Sequence, residues 1–226
     1  MLILLMPYTC IMNIGIFDSG IGGEAVAASL RDAYPEAGII VVNDHANVPY
    51  GTRPVDEIRA LTDNAIQPLL RQNCSVIVIA CNTATAAAIE WLREKYPKQL
   101  FLGLEPMLKP ARLLTKTGTI TICATPATLA SERYASIKSD HASNTTIIEP
   151  DCSEWAYMIE HNQMSDQHIT DMVQSSVDNN SDVIVLACTH YHWIRERIEN
   201  IAGSDITVLD PSDAIARRVA VVLEQT

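Results

Sequence analysis

The chain has 226 residues, of which 48% are hydrophobic and 19% charged, so it can bury a core large enough for one large domain or two small ones. Its formal net charge of -11 argues against a surface that binds nucleic acid, which needs clustered lysine and arginine. No apolar run reaches the roughly 20 residues that a membrane span requires. Six scattered cysteines lack the spacing of a disulfide framework and indicate reduced thiols in the cytoplasm.

The first eleven residues are apolar, but they lack the basic start and the cleavage site of a signal peptide. They run directly into the first predicted strand. We therefore expect Met12 to be the working start and residues 1–11 to be an upstream extension.

Short apolar runs alternate with longer amphipathic stretches, which is the pattern of β–α units around a parallel sheet. The predicted strands are residues 12–17, 38–42, 75–80, 100–103, 119–123, 145–148, 182–187 and 206–209. The predicted helices are residues 22–33, 54–72, 83–95, 106–115, 126–138, 165–179, 190–201 and 211–224. Four prolines fall where a first helical turn tolerates them, namely Pro54, Pro106, Pro126 and Pro211.

Two predicted strands end in the same way, at a cysteine followed by small polar residues. These cysteines, Cys81 and Cys188, each come 63 residues after the end of another strand, at Asp18 and Thr125. The repeat predicts an α/β fold of two pseudo-symmetric three-layer domains with mainly parallel sheets. We expect one domain from residues 12–104 plus 211–226 and a second from residues 105–210, with the active site in the cleft between them.

The paired thiols are the strongest candidates for chemistry. Either cysteine alone is explained by packing, but the symmetric placement of both favours a function. A helix that begins directly after each thiol would lower its pKa from about 8.5. His190 follows Cys188 by two residues and is placed to exchange a proton with it, unless it only caps the helix. A zinc site of Cys81, Cys188 and His190 lacks a fourth ligand, so no metal is predicted.

Two turns are expected at the same edge of the sheet. Residues 18–23 are glycine-rich and open a helix, so their N–H groups would attract an anion, although a simple turn capped by Asp18 and Ser19 explains them too. Their spacing fits neither a dinucleotide nor a Walker loop. The second turn carries Tyr50 and Gly51.

The remaining histidines and cysteines have weaker claims to a function. His45 is interpreted as a loop residue and His192 is left open. Four cysteines are interpreted as structural, namely Cys10, Cys74, Cys123 and Cys152.

Four stretches in this order resemble the glutamate racemases of the aspartate/glutamate racemase superfamily: residues 14–23, 48–51, 80–84 and 187–191. The resemblance implies a cofactor-independent, two-base inversion at the α-carbon of an amino acid, in which Cys188 deprotonates the L-enantiomer and Cys81 the D-enantiomer. It implies assistance by Asp18 at Cys81 and by His190 at Cys188. It also implies that the substrate's charged groups are held by Ser19, Tyr50, Gly51, Asn82, Thr83 and Thr189.

The chemistry demanded by such a reaction agrees with these residues. An α-proton is a very weak acid, so a site without a cofactor must stabilise a carbanion-like transition state with positioned donors and exclude water. Two bases on opposite faces explain inversion, because a single base would return the proton to the face it left. The resemblance further implies a supply of D-glutamate for bacterial peptidoglycan and a homodimer.

Residues 151–160 align without a gap with a family segment that carries an auxiliary acidic residue, which places Glu160 near His190. Two prolines of that segment are replaced by Ser153 and Tyr157, and a solvated carboxylate at a helix end is the alternative for Glu160.

His192 and Trp193 replace the family's Pro-Leu. Aspartate is therefore an alternative substrate, with hydantoin racemases and maleate isomerases as more distant relatives. Outside the family, the alternatives are a non-catalytic protein that binds acidic amino acids and a metal-dependent hydrolase.

Overall fold

The computed structural model describes residues 12–224, without the side chain of residue 213. The expected upstream extension, residues 1–11, and Cys10 within it lie outside the described residues. Within the described part, no helix is both long and apolar enough to cross a membrane.

In the described residues, eight parallel strands form two separate sheets. Strands β1 to β4 are Asn13–Asp18, Gly38–Asn43, Val76–Ile79 and Phe101–Gly103. Strands β5 to β8 are Thr119–Ala124, Thr146–Ile148, Val183–Ala187 and Thr207–Leu209. The sheets have the orders β2-β1-β3-β4 and β6-β5-β7-β8, so the second repeats the topology of the first, and all neighbours are parallel. The predicted fold class is confirmed.

Between residues 12 and 224, ten α-helices follow or connect the strands. They are, from α1 to α10, Gly23–Ala33, Val55–Arg71, Asn82–Lys95, Leu108–Leu114, Pro126–Leu129, Glu132–His141, Trp155–Glu160, Asp166–Asp178, Arg195–Ala202 and Ser212–Leu223. Two short 3₁₀ helices, His45–Asn47 and Thr189–Ile194, follow β2 and β7. Each therefore begins near the carboxyl end of a strand, where the candidate residues lie.

Three helical predictions need correction. The single helix predicted over residues 126–138 is two helices, because the Ser131 hydroxyl accepts a hydrogen bond from Tyr134 N–H and starts a new helix there. The helix predicted from residue 190 begins as 3₁₀ and continues as α9. Helix α7 was not predicted, because its six residues are too few to show a helical period.

The cores lie between sheets and helices. The central strands β1, β3, β5 and β7 are buried because helices cover both faces of each sheet. The last helix, α10, returns to the first sheet, where Ile215 and Val219 pack with Ile14 and Val78. We propose on this basis that residues 12–104 plus 211–226 form one domain and residues 105–210 the other.

Candidate active site

The carboxyl ends of the two sheets face each other. Asp18, the last residue of β1, accepts hydrogen bonds from Gly20 N–H at 2.9 Å and from the Thr189 hydroxyl at 2.8 Å. A Cβ on Gly20 would lie 2.6 Å from His190 Nε2, and one on Gly22 would lie 2.4 Å from Thr189 Cβ. Only glycine allows the two turns to approach so closely. The two strand ends therefore form one cleft, and Asp18 connects its two sides.

Cys81 caps α3 and is buried. Its sulfur accepts hydrogen bonds from the Ser19 hydroxyl at 3.3 Å and from Ala84 N–H at 3.4 Å. Burial, and then the neighbouring carboxyl group of Asp18, raise the pKa of Cys81 to about 12, and burial raises the pKa of Asp18 as well. The helix start does lower the pKa of Cys81 through Ala84 N–H, but full enclosure beside Asp18 outweighs that effect, so the predicted net lowering of the pKa is wrong. Ser19 contacts the thiol directly.

Cys188 lies in a different electrostatic environment. Its sulfur is 3.9 Å from His190 Nδ1, and His190 Nε2 is 2.8 Å from a carboxylate oxygen of Glu160, Oε2. Burial opposes the charged form of His190, but the hydrogen bonds with Cys188 and Glu160 outweigh it and raise the pKa of His190 to about 10. The imidazole is therefore positively charged at neutral pH, beside the Cys188 sulfur.

Glu160 is the last residue of α7, and both of its carboxylate oxygens contact polar groups of other elements. Oε2 also accepts Ile21 N–H at 3.2 Å, and Oε1 lies 2.8 Å from His45 Nδ1. Burial opposes the charge on Glu160, but these hydrogen bonds lower its pKa to about 2. His45, interpreted from the sequence as a loop residue, instead lies in the 3₁₀ helix His45–Asn47 and contacts the candidate site.

A group of hydroxyls lies between the two halves. Thr83 and Thr125 share a hydrogen bond of 2.8 Å, and Thr125 and Thr128 share one of 3.0 Å. A Cβ on Gly51 would lie 2.7 Å from Thr125 Cβ, so the turn after β2 reaches the second half. Thr125 and Thr128 were not predicted to be site residues. The repeat holds a signal for Thr125, because it occupies the position that Asp18 has in the first half.

Tyr50 is buried, and its hydroxyl donates to Asp44 Oδ2 at 2.6 Å. Burial and this carboxylate raise the pKa of Tyr50 far above its ordinary value, so the ring stays neutral. Asp44 was not predicted. The same carboxylate accepts two hydrogen bonds from Asn47, so Asp44 fixes the turn that carries Tyr50 and Gly51.

Asn82 is buried next to Cys81. Neither its amide nitrogen nor its amide oxygen forms a hydrogen bond within the described part of the chain. Buried polar groups in proteins are nearly always paired, so an unpaired side-chain amide in a cleft indicates a polar ligand. Asn82 is thus suited to recognise a charged group of a small molecule.

The other residues singled out from the sequence lie around this centre. His192 Nδ1 is 2.7 Å from Asp210 Oδ2, and Trp193 is half-exposed and lines a cavity of about 380 Å³ with Ile21 and Ile159. Among residues 12–224, no group of three or more His, Cys, Asp or Glu side chains is arranged to hold a metal ion. The cysteines interpreted as structural are buried and free, namely Cys74, Cys123 and Cys152.

Comparison with known proteins identifies the family. Residues 23–219 match the model of the family described as Asp/Glu/Hydantoin racemase. The chain belongs to this racemase family. A glutamate racemase from Clostridium botulinum (strain Alaska E43 / Type E3) is 38% identical over 201 residues, which cover 87% of this chain and 78% of the relative. The chain is therefore an isomerase of the racemase class, as the sequence motifs indicated.

Solved structures of racemases share the fold. Escherichia coli glutamate racemase, in complex with L-glutamate and the activator UDP-MurNAc-ala, superposes with a TM-score of 0.86 at 26% identity, covering 95% of this chain and 83% of that one. Glutamate racemase from Francisella tularensis in complex with D-glutamate has a TM-score of 0.80 at 29% identity, covering 95% and 81%. Both relatives hold a small amino acid, which is the ligand class that the cleft suggests.

Proposed function

We propose that this racemase interconverts L- and D-glutamate, without a cofactor, by moving the α-proton between Cys81 and Cys188. The observation that carries the proposal is the placement of two buried cysteines at matching strand ends, in a cleft joined by the hydrogen bond between Thr189 and Asp18. The names and ligands of the relatives support glutamate as the substrate. Two thiols on opposite sides of one carbon suit inversion.

The charges around the two cysteines support a particular starting state. Cys81, with a pKa of about 12, carries its proton at neutral pH, whereas the positive charge of His190 stabilises negative charge on the Cys188 sulfur. With L-glutamate bound, the Cys188 thiolate takes the α-proton and becomes a thiol. The Cys81 thiol then gives its proton to the opposite face and becomes a thiolate. The reverse direction begins from that state, so the proton count balances.

The polar groups of the cleft would bind the substrate. The substrate would give hydrogen-bond partners to the nitrogen and the oxygen of the Asn82 amide. Thr83 would contribute its hydroxyl group, which is hydrogen-bonded to that of Thr125. The remaining residues proposed to hold the substrate's charged groups are Ser19, Tyr50, Gly51 and Thr189. Enclosure removes water, which strengthens each of these contacts in the transition state.

The cellular role follows from the substrate. D-glutamate made in this way would supply peptidoglycan synthesis in a bacterial cytoplasm. We also propose that the protein forms a homodimer, as the sequence resemblance implies.

The proposal is tested by incubating the purified protein with each enantiomer of glutamate and aspartate in heavy water, with no added cofactor. Appearance of D-glutamate carrying an α-deuteron, at micromolar enzyme, is the expected result. Exchange of the α-proton in aspartate alone would show that aspartate, and not glutamate, is the substrate. If glutamate raises the melting temperature but neither amino acid exchanges, the protein binds acidic amino acids without catalysis and the proposal is wrong.

A further inference from the structure

His45 comes from the first half of the chain, yet its partner Glu160 belongs to the second half, 115 residues away. The Glu160 side chain is only 12% exposed, whereas that of His45 is 53% exposed. The two histidines contact different oxygens of one carboxylate: His45 contacts Oε1 and His190 contacts Oε2, each at 2.8 Å. A continuous series of contacts thus runs from His45 at the surface to Cys188 in the cleft.

We propose that His45 is a positioning residue for the racemisation, an inference that rests on the proposed function. It holds Glu160 from across the cleft, and Glu160 in turn fixes the orientation of His190 toward Cys188. Glu160 is the last residue of a six-residue helix, so its backbone gives it little support. Anchoring both oxygens stops the carboxylate from rotating about its last bond.

Orientation matters here because the contact it protects is weak. The distance of 3.9 Å between Cys188 Sγ and His190 Nδ1 is at the upper limit for a hydrogen bond to sulfur. A small rotation of the imidazole would break it. Misplacing an acid–base group by about 1 Å can slow a reaction by about 100-fold. The titratable groups that face Glu160 and His190 are His45, Asp18 and Cys188.

His45 contributes little to the fold itself. The 3₁₀ helix His45–Asn47 contains no buried residue. The turn that follows it is fixed independently, because Asp44 accepts hydrogen bonds from Asn47 and from Tyr50. A His45 variant is therefore expected to fold and to keep the substrate-binding turn in place.

The test compares kcat and KM for glutamate in three variants: His45→Ala, His45→Gln and, as a matched control, His141→Ala at the end of α6. We expect His45→Ala to lower kcat about tenfold while KM changes less than about twofold. We expect His45→Gln, whose amide can donate to Glu160, to recover most of the loss. An increase in KM alone would mean that His45 only supports the Tyr50 turn, and equal losses in the Ala and Gln variants would also overturn the proposal.

A double-mutant cycle shows whether His45 acts through Glu160. In a Glu160→Ala background, His45→Ala is expected to cause less than about a twofold further loss of kcat, because the oxygen that His45 contacts is already absent. A full tenfold loss in that background contradicts the proposal. If Glu160→Ala is too slow to measure, the comparison of His45→Gln with His45→Ala decides. A wild-type protein that does not racemise glutamate would instead refute the proposed function.

Discussion

The two cysteine sites share one strand topology but differ in local backbone and in electrostatics. Cys81 starts the α-helix α3, whereas Cys188 precedes a 3₁₀ helix. Cys81 and Cys188 follow equivalent strands, β3 and β7, of two sheets with one topology. Cys81 is beside the carboxylate of Asp18 and a neutral hydroxyl, whereas Cys188 is beside a positively charged imidazole. The repeated topology therefore places a thiol after each of two matching strands, and the neighbours of the two thiols differ in charge.

This difference matters because a two-base racemase needs one thiol and one thiolate at the same time. Two identical neutral sites would both be protonated at neutral pH, and neither would take a proton from an amino acid. The equilibrium constant of a racemisation is one, so the asymmetry cannot change the ratio of kcat/KM between the two directions. It can appear only as different kcat and KM values that compensate each other.

Removing either thiol should have the largest effect. We expect Cys81→Ser and Cys188→Ser each to lose glutamate racemisation by at least about 1,000-fold, because a hydroxyl is a far weaker acid than a thiol. Cys74→Ser, which changes a buried cysteine outside the cleft, is the control and should stay active. Production of D-glutamate from L-glutamate, followed by chiral chromatography, measures the effect. Full turnover in either site variant would refute the two-base mechanism.

The two thiols should also differ in reactivity. At pH 8 we expect iodoacetamide to alkylate Cys188 well before Cys81, and Cys81 to react at least about 100-fold more slowly than a free cysteine, because its pKa of about 12 leaves almost no thiolate. Mass spectrometry of timed digests measures the order. Asp18→Asn should accelerate labelling of Cys81, because the Asp18 carboxyl group raises the pKa of that thiol. Labelling of Cys81 ahead of Cys188 would reverse the assignment of charges.

The charged His190 should make stability depend on pH. Its pKa rises from 6.5 to about 10 on folding, so its contribution is complete below about pH 6.5 and is lost as the pH rises to about 10. We expect wild type to lose about 3 to 4 kcal/mol more unfolding free energy than His190→Gln between pH 7 and pH 10. Urea unfolding at both pH values measures it. Equal losses in the two proteins would mean that His190 is neutral when folded.

The parallel fold could be predicted because the central strands are apolar on both faces and end abruptly at polar residues. Those strand ends also indicated Asp18, Cys81, Cys188 and His190. Helix α7 and the 3₁₀ helix His45–Asn47 were missed, since three to six residues are too few to show periodicity.

The rest of the site depends on contacts between the two halves, which no local pattern encodes. His45 meets Glu160, and Gly51 meets Thr125, only after both sheets have formed. The prediction for the pKa of Cys81 was wrong for a related reason. The helix start was visible in the sequence, but the complete burial beside Asp18 that outweighs it was not.

The most direct test of the paired mechanism follows α-proton exchange in heavy water for each cysteine variant, by proton NMR of separate L- and D-glutamate samples. We expect Cys81→Ser to exchange only L-glutamate, through Cys188, and Cys188→Ser to exchange only D-glutamate, through Cys81, with no inversion in either case. Exchange of both enantiomers by one variant would show that a single group reaches both faces of the α-carbon, which contradicts the assignment of one face to each cysteine.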